Sequence, residues 1–151
     1  MKHAVHLLHR ASQRAEEIFT IKCDHKELTP RQWTVLDAIA GSNLPSQTDL
    51  VALTGVDRST LADIVKRLVQ RGLVHRRRTE QDARAYQLAL TAKGEEEREV
   101  AAAAAQAADD VLLSSLSPNE REMLLVLLQK VIDASDDSRS EETKHFARMG
   151  D

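Results

Sequence analysis

The sequence predicts a mainly α-helical fold that carries one small β-hairpin. Three observations predict it. The 151 residues include only five Gly and three Pro, too few for the turns of a many-stranded sheet. Helix starts built on a Ser, Thr or Asp cap recur at Thr29, Ser46, Asp57, Thr91 and Ser117. Only between residues 73 and 90 does apolar alternation replace helical spacing.

Each element follows from local chemistry. Residues 4–22 read as a helix, because Val5, Leu8, Ser12, Ala15 and Phe19 recur at helical spacing and Ile18 and Ile21 widen the stripe. Thr29 caps the next helix, Pro30 suits its first position, and Gln32 closes a capping box. Leu28 staples onto Trp33, and the helix runs through Leu36 and Ile39 to Gly41. Ser46 caps a short helix that Thr54-Gly55 stops. Asp57 caps a helix over 58–71 that Gly72 ends. Its apolar stripe is Leu61, Ile64, Val65 and Leu68, which leaves Arg58, Ser59, Ala62, Asp63, Lys66 and Arg67 largely off it.

Leu73 to Arg78 forms a first strand. Tyr86, Leu88 and Leu90 alternate with Ala85, Gln87 and Ala89 to form a second, and Thr79 to Arg84 makes a polar tip between them. Thr91 caps an alanine-rich helix, roughly 92–115. Ser117, Pro118 and Glu120 open a last helix, in which Met123 to Leu128 are six consecutive apolar residues. Such a helix is apolar on nearly every side and needs cover all round. Little of this chain remains to cover it, so a second copy is the expected cover, in a two-fold homodimer. The expected organisation is an assembly helix in 1–27, a hairpin-bearing domain in 28–91, two assembly helices in 92–134 and a polar, flexible tail in 135–151.

Composition excludes several classes. No apolar run reaches the length of a membrane span, and the N-terminus lacks the pattern of a secretory signal. Cys23 is the only cysteine, so no internal disulfide forms, and a reducing cytoplasm is the expected location. The sequence has no Gly-rich phosphate loop, nucleophile elbow or carboxylate–histidine metal motif, so no enzyme is expected and no cofactor is assigned. Glu95, Glu96 and Glu97 open a helix, where acids suit the dipole. The net charge of −3 hides an asymmetry. Residues 58–84 hold eight Arg and Lys against three acids, a local +5, which leaves −8 on the rest. A basic block in an acidic chain points to a polyanion.

Two short helices joined by a tight turn and followed by a hairpin make a winged helix-turn-helix. The expected partner is duplex DNA, with the second helix in the major groove and its N-terminal side chains at base edges. Arg58, Ser59 and Thr60 stand at that end, with Asp63 and Lys66 further along. Asp63 either accepts from cytosine or holds a neighbouring Arg. Ser46, Gln47 and Thr48 offer a helix N-terminus to phosphate. Arg76 and Arg78 add charge on the first strand. Arg84 at the hairpin tip suits a narrow minor groove, with Asp82 holding it in position. A winged domain used for protein contacts is the competing use of the same fold.

The segments LTPRQWTVLDAIA, SQTDLVALTGVDRSTLADIVKRLVQRGLVHRRR and DARAYQLALTAKG resemble the MarR (multiple antibiotic resistance regulator) family. The wing pattern Asp82-x-Arg84, followed by Leu88-x-Leu90-Thr91-x-x-Gly94, carries much of the likeness, which spans about residues 4–134. The resemblance implies a homodimeric, ligand- or redox-responsive transcription factor, usually a repressor, that reads a pseudo-palindromic operator. It also implies that the first helix and the last two form the dimer interface, with a small anionic or aromatic effector between those helices and the DNA-binding lobe.

On that implication His6, His9, Arg10 and Arg14 are candidate partners for an effector carboxylate, and Trp33 is a candidate aromatic wall. Packing staple and wet helix face are the alternatives. The expected effector is an aromatic carboxylate or its thioester. His3, His6 and His9 lack the further ligands a tetrahedral metal site needs, so no metal is assigned. Cys23 supports an alternative reading as an oxidant sensor, because Lys22, His25 and Lys26 are basic neighbours. Against it, the resemblance implies that oxidant-sensing members hold their cysteine with tyrosines, whereas the only tyrosine, Tyr86, lies in the wing, and Cys23 sits near the end of its helix and not at a helix N-terminus.

Overall fold

The computed structural model describes residues 3–24, 28–78 and 86–148. The expected wing tip, with Asp82 and Arg84, lies outside the described residues, as do His25 and Lys26. The chain divides into two compact units, Met1–Leu112 and Leu113–Asp151.

The first unit holds α1 (Ala4–Lys22), α2 (Pro30–Ala40), α3 (Gln47–Thr54), α4 (Arg58–Gln70), β1 (Val74–Arg78), β2 (Tyr86–Leu90) and α5 (Ala92–Leu112). Its helix starts are the expected ones. The Thr29 hydroxyl accepts from the Gln32 backbone N–H at 3.2 Å, and the Gln32 side chain accepts from the Thr29 N–H at 3.1 Å. Ser46 and Asp49 make the same reciprocal box on α3. Asp57 caps α4 through the Thr60 N–H at 2.9 Å, and the Thr91 hydroxyl accepts from the Gly94 N–H at 3.0 Å.

Two of the stops place glycine at positive φ. Gly55 (φ +67°) ends α3 and Gly72 (φ +72°) ends α4. After Gly72 the Leu73 N–H returns to the Leu68 carbonyl at 2.9 Å, closing the helix end. Gly41 also caps its helix but stays right-handed at φ −76°; in that turn the left-handed residue is Leu44, at φ +52°.

The core is assembled from every element of this unit. Leu36, Val35, Leu50, Leu61, Val65, Leu68 and Leu73 are fully buried, and Leu88 and Val74 nearly so. Ile18 and Phe19 of α1 and the alanine stripe Ala101, Ala104 and Ala108 of α5 join the same cluster. α1 and α5 thus belong to the same compact unit as the winged segment. β1 and β2 pair antiparallel, Val74 opposite Leu90 and Arg78 opposite Tyr86. The hairpin has a further anchor that the alternation pattern did not show. Ser46 bridges to Gln87, and the Leu88 N–H donates to the Pro45 carbonyl at 2.9 Å, which fastens the start of α3 to the wing.

The second unit is a turn followed by α6 (Pro118–Arg148). Ser117 and Glu120 form the expected capping box, with the Glu120 carboxylate accepting from the Ser117 N–H at 2.8 Å. The helix continues past residue 134, where a flexible tail was expected. The polar composition pointed to a tail, yet neither Gly nor Pro interrupts 119–149, so nothing in the backbone ends the helix. None of residues 118–135 is buried within this chain.

Candidate nucleic-acid interface and effector cleft

The stripe that buries Leu61, Ile64, Val65 and Leu68 fixes which side of α4 faces outward. Arg58, Ser59, Ala62, Asp63, Lys66 and Arg67 are exposed on that side, and Thr60 is half-buried beneath the Asp57 cap. Among the described residues no ion pair engages Arg58, Lys66, Arg67, Arg76, Arg77 or Arg78. These charges are therefore available to a partner. Asp63 pairs with no arginine there, which leaves its acceptor role open.

The N-termini of α3 and α4 converge with the wing. A groove of about 290 Å³ is lined by Ser46, Gln47, Thr48, Arg58, Ala62 and Tyr86, with Val51 and Leu61 at its floor. It brings together four of the expected DNA-facing residues. Ser59, Asp63 and Lys66 continue along the outer face of α4, and Arg76 and Arg78 lie exposed on β1. Tyr86 was not expected here. Its signal was available, since an exposed aromatic that opens a strand opposite Arg78 sits at the wing's edge.

The Ser46 N–H and hydroxyl hold the Asp49 carboxyl below the usual carboxylate range. The Thr60 hydroxyl and N–H do the same for Asp57. Both acids are occupied as caps, so their charges are directed at helix N–H groups and not outward over the face.

Not every arginine of the basic block belongs to this face. Arg71, at the end of α4, donates to Glu97 of α5 at 2.8 Å. Arg98 of α5 bridges Asp37 of α2 at 2.9 Å and also pairs with Glu95. Hydrogen bonds to Glu95, and then to Asp37, raise the Arg98 pKa further. The Thr91 hydroxyl donates to the Gly72 carbonyl at 2.6 Å. Glu97, expected simply to suit a helix dipole, thus also fastens α5 to the end of α4.

A second cavity, of about 350 Å³, opens between α1, α2 and α5. Phe19 and Trp33 form its aromatic wall, with ring centroids 6.0 Å apart. Trp33 both packs against the core and lines this cleft. Its indole Nε1 is buried with no hydrogen-bond partner among the described residues.

His6, His9, Arg10 and Arg14, expected beside an effector, are all exposed and do not line this cleft. The residues of α1 that do are Ser12, Ala15, Glu16 and Phe19, which share one helical stripe. Arg10 and Arg14 point away from that stripe, on roughly the opposite side of the helix. His6 and His9 lie further toward its N-terminus. Arg14 instead pairs with Glu17 at 3.0 Å on an exposed surface, where such a pair contributes little. Arg31, at the second position of α2, is the cleft's cation, and Glu16 and Asp109 are its acids. Periodicity alone did not reveal them, because the cleft arises only where three helices meet.

Cys23 is buried at 3% exposure among Ile18, Phe19 and Leu28. That burial removes the accessibility on which the oxidant-sensor alternative depends. No helix of the described residues is long and apolar enough to cross a membrane.

The MarR family model matches residues 26–85. The HTH-type transcriptional repressor NicR of Pseudomonas putida is 32% identical over 133 residues, which cover 88% of this chain and 84% of that protein. The solved structure of BpsR from Bordetella bronchiseptica, whose DNA binding is regulated by 6-hydroxynicotinic acid, has a TM-score of 0.82 at 30% identity, covering 87% of this chain and 94% of that one. The transcriptional repressor CouR, bound to a 23-mer DNA duplex, has a TM-score of 0.79 at 28% identity over 86% of this chain and 92% of that one.

Proposed function

The chain belongs to the MarR family of DNA-binding winged-helix transcriptional regulators, and from that premise we infer that it is a ligand-released repressor. It acts as a homodimer on a pseudo-palindromic operator and leaves it when a small anionic or aromatic effector, an aromatic carboxylate or its thioester, enters the cleft. One observation carries the DNA reading. The outer face of α4 presents Arg58, Ser59, Asp63 and Lys66 to solvent, while its other face is buried.

In this reading Arg58 reaches guanine with two donors, Ser59 and Thr60 contact base edges or phosphate, and Lys66 neutralises phosphate. Ser46, Gln47 and Thr48 present the α3 N-terminus to the backbone. Arg76 and Arg78 add charge along the wing, and Asp82 positions Arg84 for the minor groove. The effector acts through its higher affinity for a dimer whose reading heads no longer match successive grooves.

The test is fluorescence anisotropy on a labelled duplex taken from upstream of the protein's own gene. Affinity falls steeply and log-linearly with salt, by roughly 0.9 per neutralised phosphate. Arg58→Ala costs about 1–3 kcal/mol of binding and relaxes preference at one base pair. A flat salt response with unchanged Arg58→Ala binding would sink the reading and favour a protein-contact role for the wing.

A further inference from the structure

Asp63 is the one acid of α4, and it stands on the exposed face that carries the helix's unpaired cations. At about 100° per residue, Ser59, Asp63 and Lys66 run along the middle of that face, each within roughly 30° of the line opposite the buried Leu61, Ile64, Val65 and Leu68. Arg58 and Arg67 lie to either side of that line. A helix in the major groove turns the middle of its outer face to base edges, and its flanks lie nearer the phosphates. The acid is therefore placed against bases and away from the backbone.

The fold makes no use of this carboxylate. Asp49 and Asp57 are occupied as helix caps. Asp63 has neither an ion pair nor a hydrogen bond to its carboxylate among the described residues, although Lys66 and Arg67 follow it by three and four positions. A lone negative charge on a face that meets a polyanion opposes binding unless a base edge offers it a donor.

We propose that Asp63 is a specificity-determining residue that selects cytosine in each half-site, by accepting from the N4 amino group and by repelling the other bases. The proposal rests on the reading of α4 as the major-groove helix and deepens it. A carboxylate only accepts. Guanine offers it N7 and O6 and thymine offers it O4, which are acceptors and repel it. Adenine has a donor at N6 but an acceptor beside it at N7. Cytosine alone presents a donor with no acceptor on its own edge. The carboxylate thus acts mainly by exclusion. Its removal should strengthen binding to wrong sequences, which loss of a phosphate contact or of a fold-supporting residue does not do.

The parent, Asp63→Ala and Asp63→Asn are each used to select from a library of randomised duplexes. Affinities for the selected duplex and its single-pair variants are then read by fluorescence anisotropy. The parent should select at least one C·G pair in each half-site whose replacement by T·A weakens binding about tenfold or more. Asp63→Ala should reduce that preference to about twofold or less, keep its selection at the other pairs, and bind the T·A duplex more tightly than the parent does. Asp63→Asn should favour adenine at the same pair, because an amide both accepts from N6 and donates to N7. An exposed, unpaired side chain contributes little to the fold, so the three melting temperatures should agree.

The proposal is overturned by a cytosine preference that survives in Asp63→Ala, by a parent with no such pair, or by an alanine variant that binds wrong duplexes no better than the parent. Selection of the parent's sequence by Asp63→Asn, or a melting temperature lowered in both variants, would also overturn it. If the parent still selects a sequence in those cases, with salt-sensitive affinity, the reading of α4 survives without the proposal. A parent that selects no sequence at all would remove that reading as well.

Discussion

A methyl group on Gly94 would lie 1.9 Å from the Leu73 carbonyl oxygen and 2.9 Å from its carbonyl carbon. Both are backbone atoms, so no side chain can swing aside. Alanine gains about 1 kcal/mol over glycine in a free helix. That gain is smaller than the cost of forcing α5 away from the start of β1. Gly94→Ala should therefore destabilise the fold by about 3 kcal/mol or more, read as a lower denaturant midpoint with an unchanged slope. A neutral or stabilised variant would mean that α5 does not approach β1 so closely. At the same joint Arg71, counted from the sequence only as part of the basic block, is engaged within the fold. Its partner, Glu97, lies 26 residues away, and no local pattern encodes that pair.

Helix starts and stops were the most legible elements, because capping chemistry is local. Thr29, Ser46, Asp57 and Ser117 each bond within three residues of themselves, so the sequence alone places them. The cleft was not legible, because Glu16, Arg31 and Asp109 meet only after α1, α2 and α5 pack. The Ser46 to Gln87 bridge is likewise a contact between distant segments.

The caps carry a pH dependence of known sign. Asp49 and Asp57 have folded carboxyl pKa values below their ordinary value, by hydrogen bonds from Ser46 and Thr60. Their contribution to stability is therefore present above the unfolded value, about pH 4, and is lost as pH falls through that value toward the lower folded one. Melting temperature should drop over that acid range. Asp57→Asn keeps an effective cap without a titrating group, so its melting curve should decline less steeply. A variant as acid-sensitive as the parent would remove Asp57 from the account.

At the scale of the whole molecule, α6 presents a problem that one chain does not solve. Met123, Leu125, Val126, Leu127, Val131 and Ile132 are each more than half exposed. Scattered apolar residues on a surface need no explanation, but six within ten residues of one helix are a contiguous patch of the kind that marks an interface. In the other unit, α1 also exposes Val5, Leu7 and Leu8. In the proposed homodimer a second copy would supply the matching surface by two-fold symmetry, each helix meeting its own equivalent or the other's neighbour. Reading two half-sites one helical turn apart requires the same pairing, so assembly and DNA affinity should fail together. Leu127→Asp places a charge in the middle of the patch, where pairing would bury it without a partner. Light scattering should give twice the 16.8 kDa of one chain for the parent and a single mass for Leu127→Asp. Duplex affinity should fall by about a hundredfold or more as the second half-site contact is lost. A monomeric parent that still binds the duplex tightly would break the link between the exposed patch and the reading of DNA.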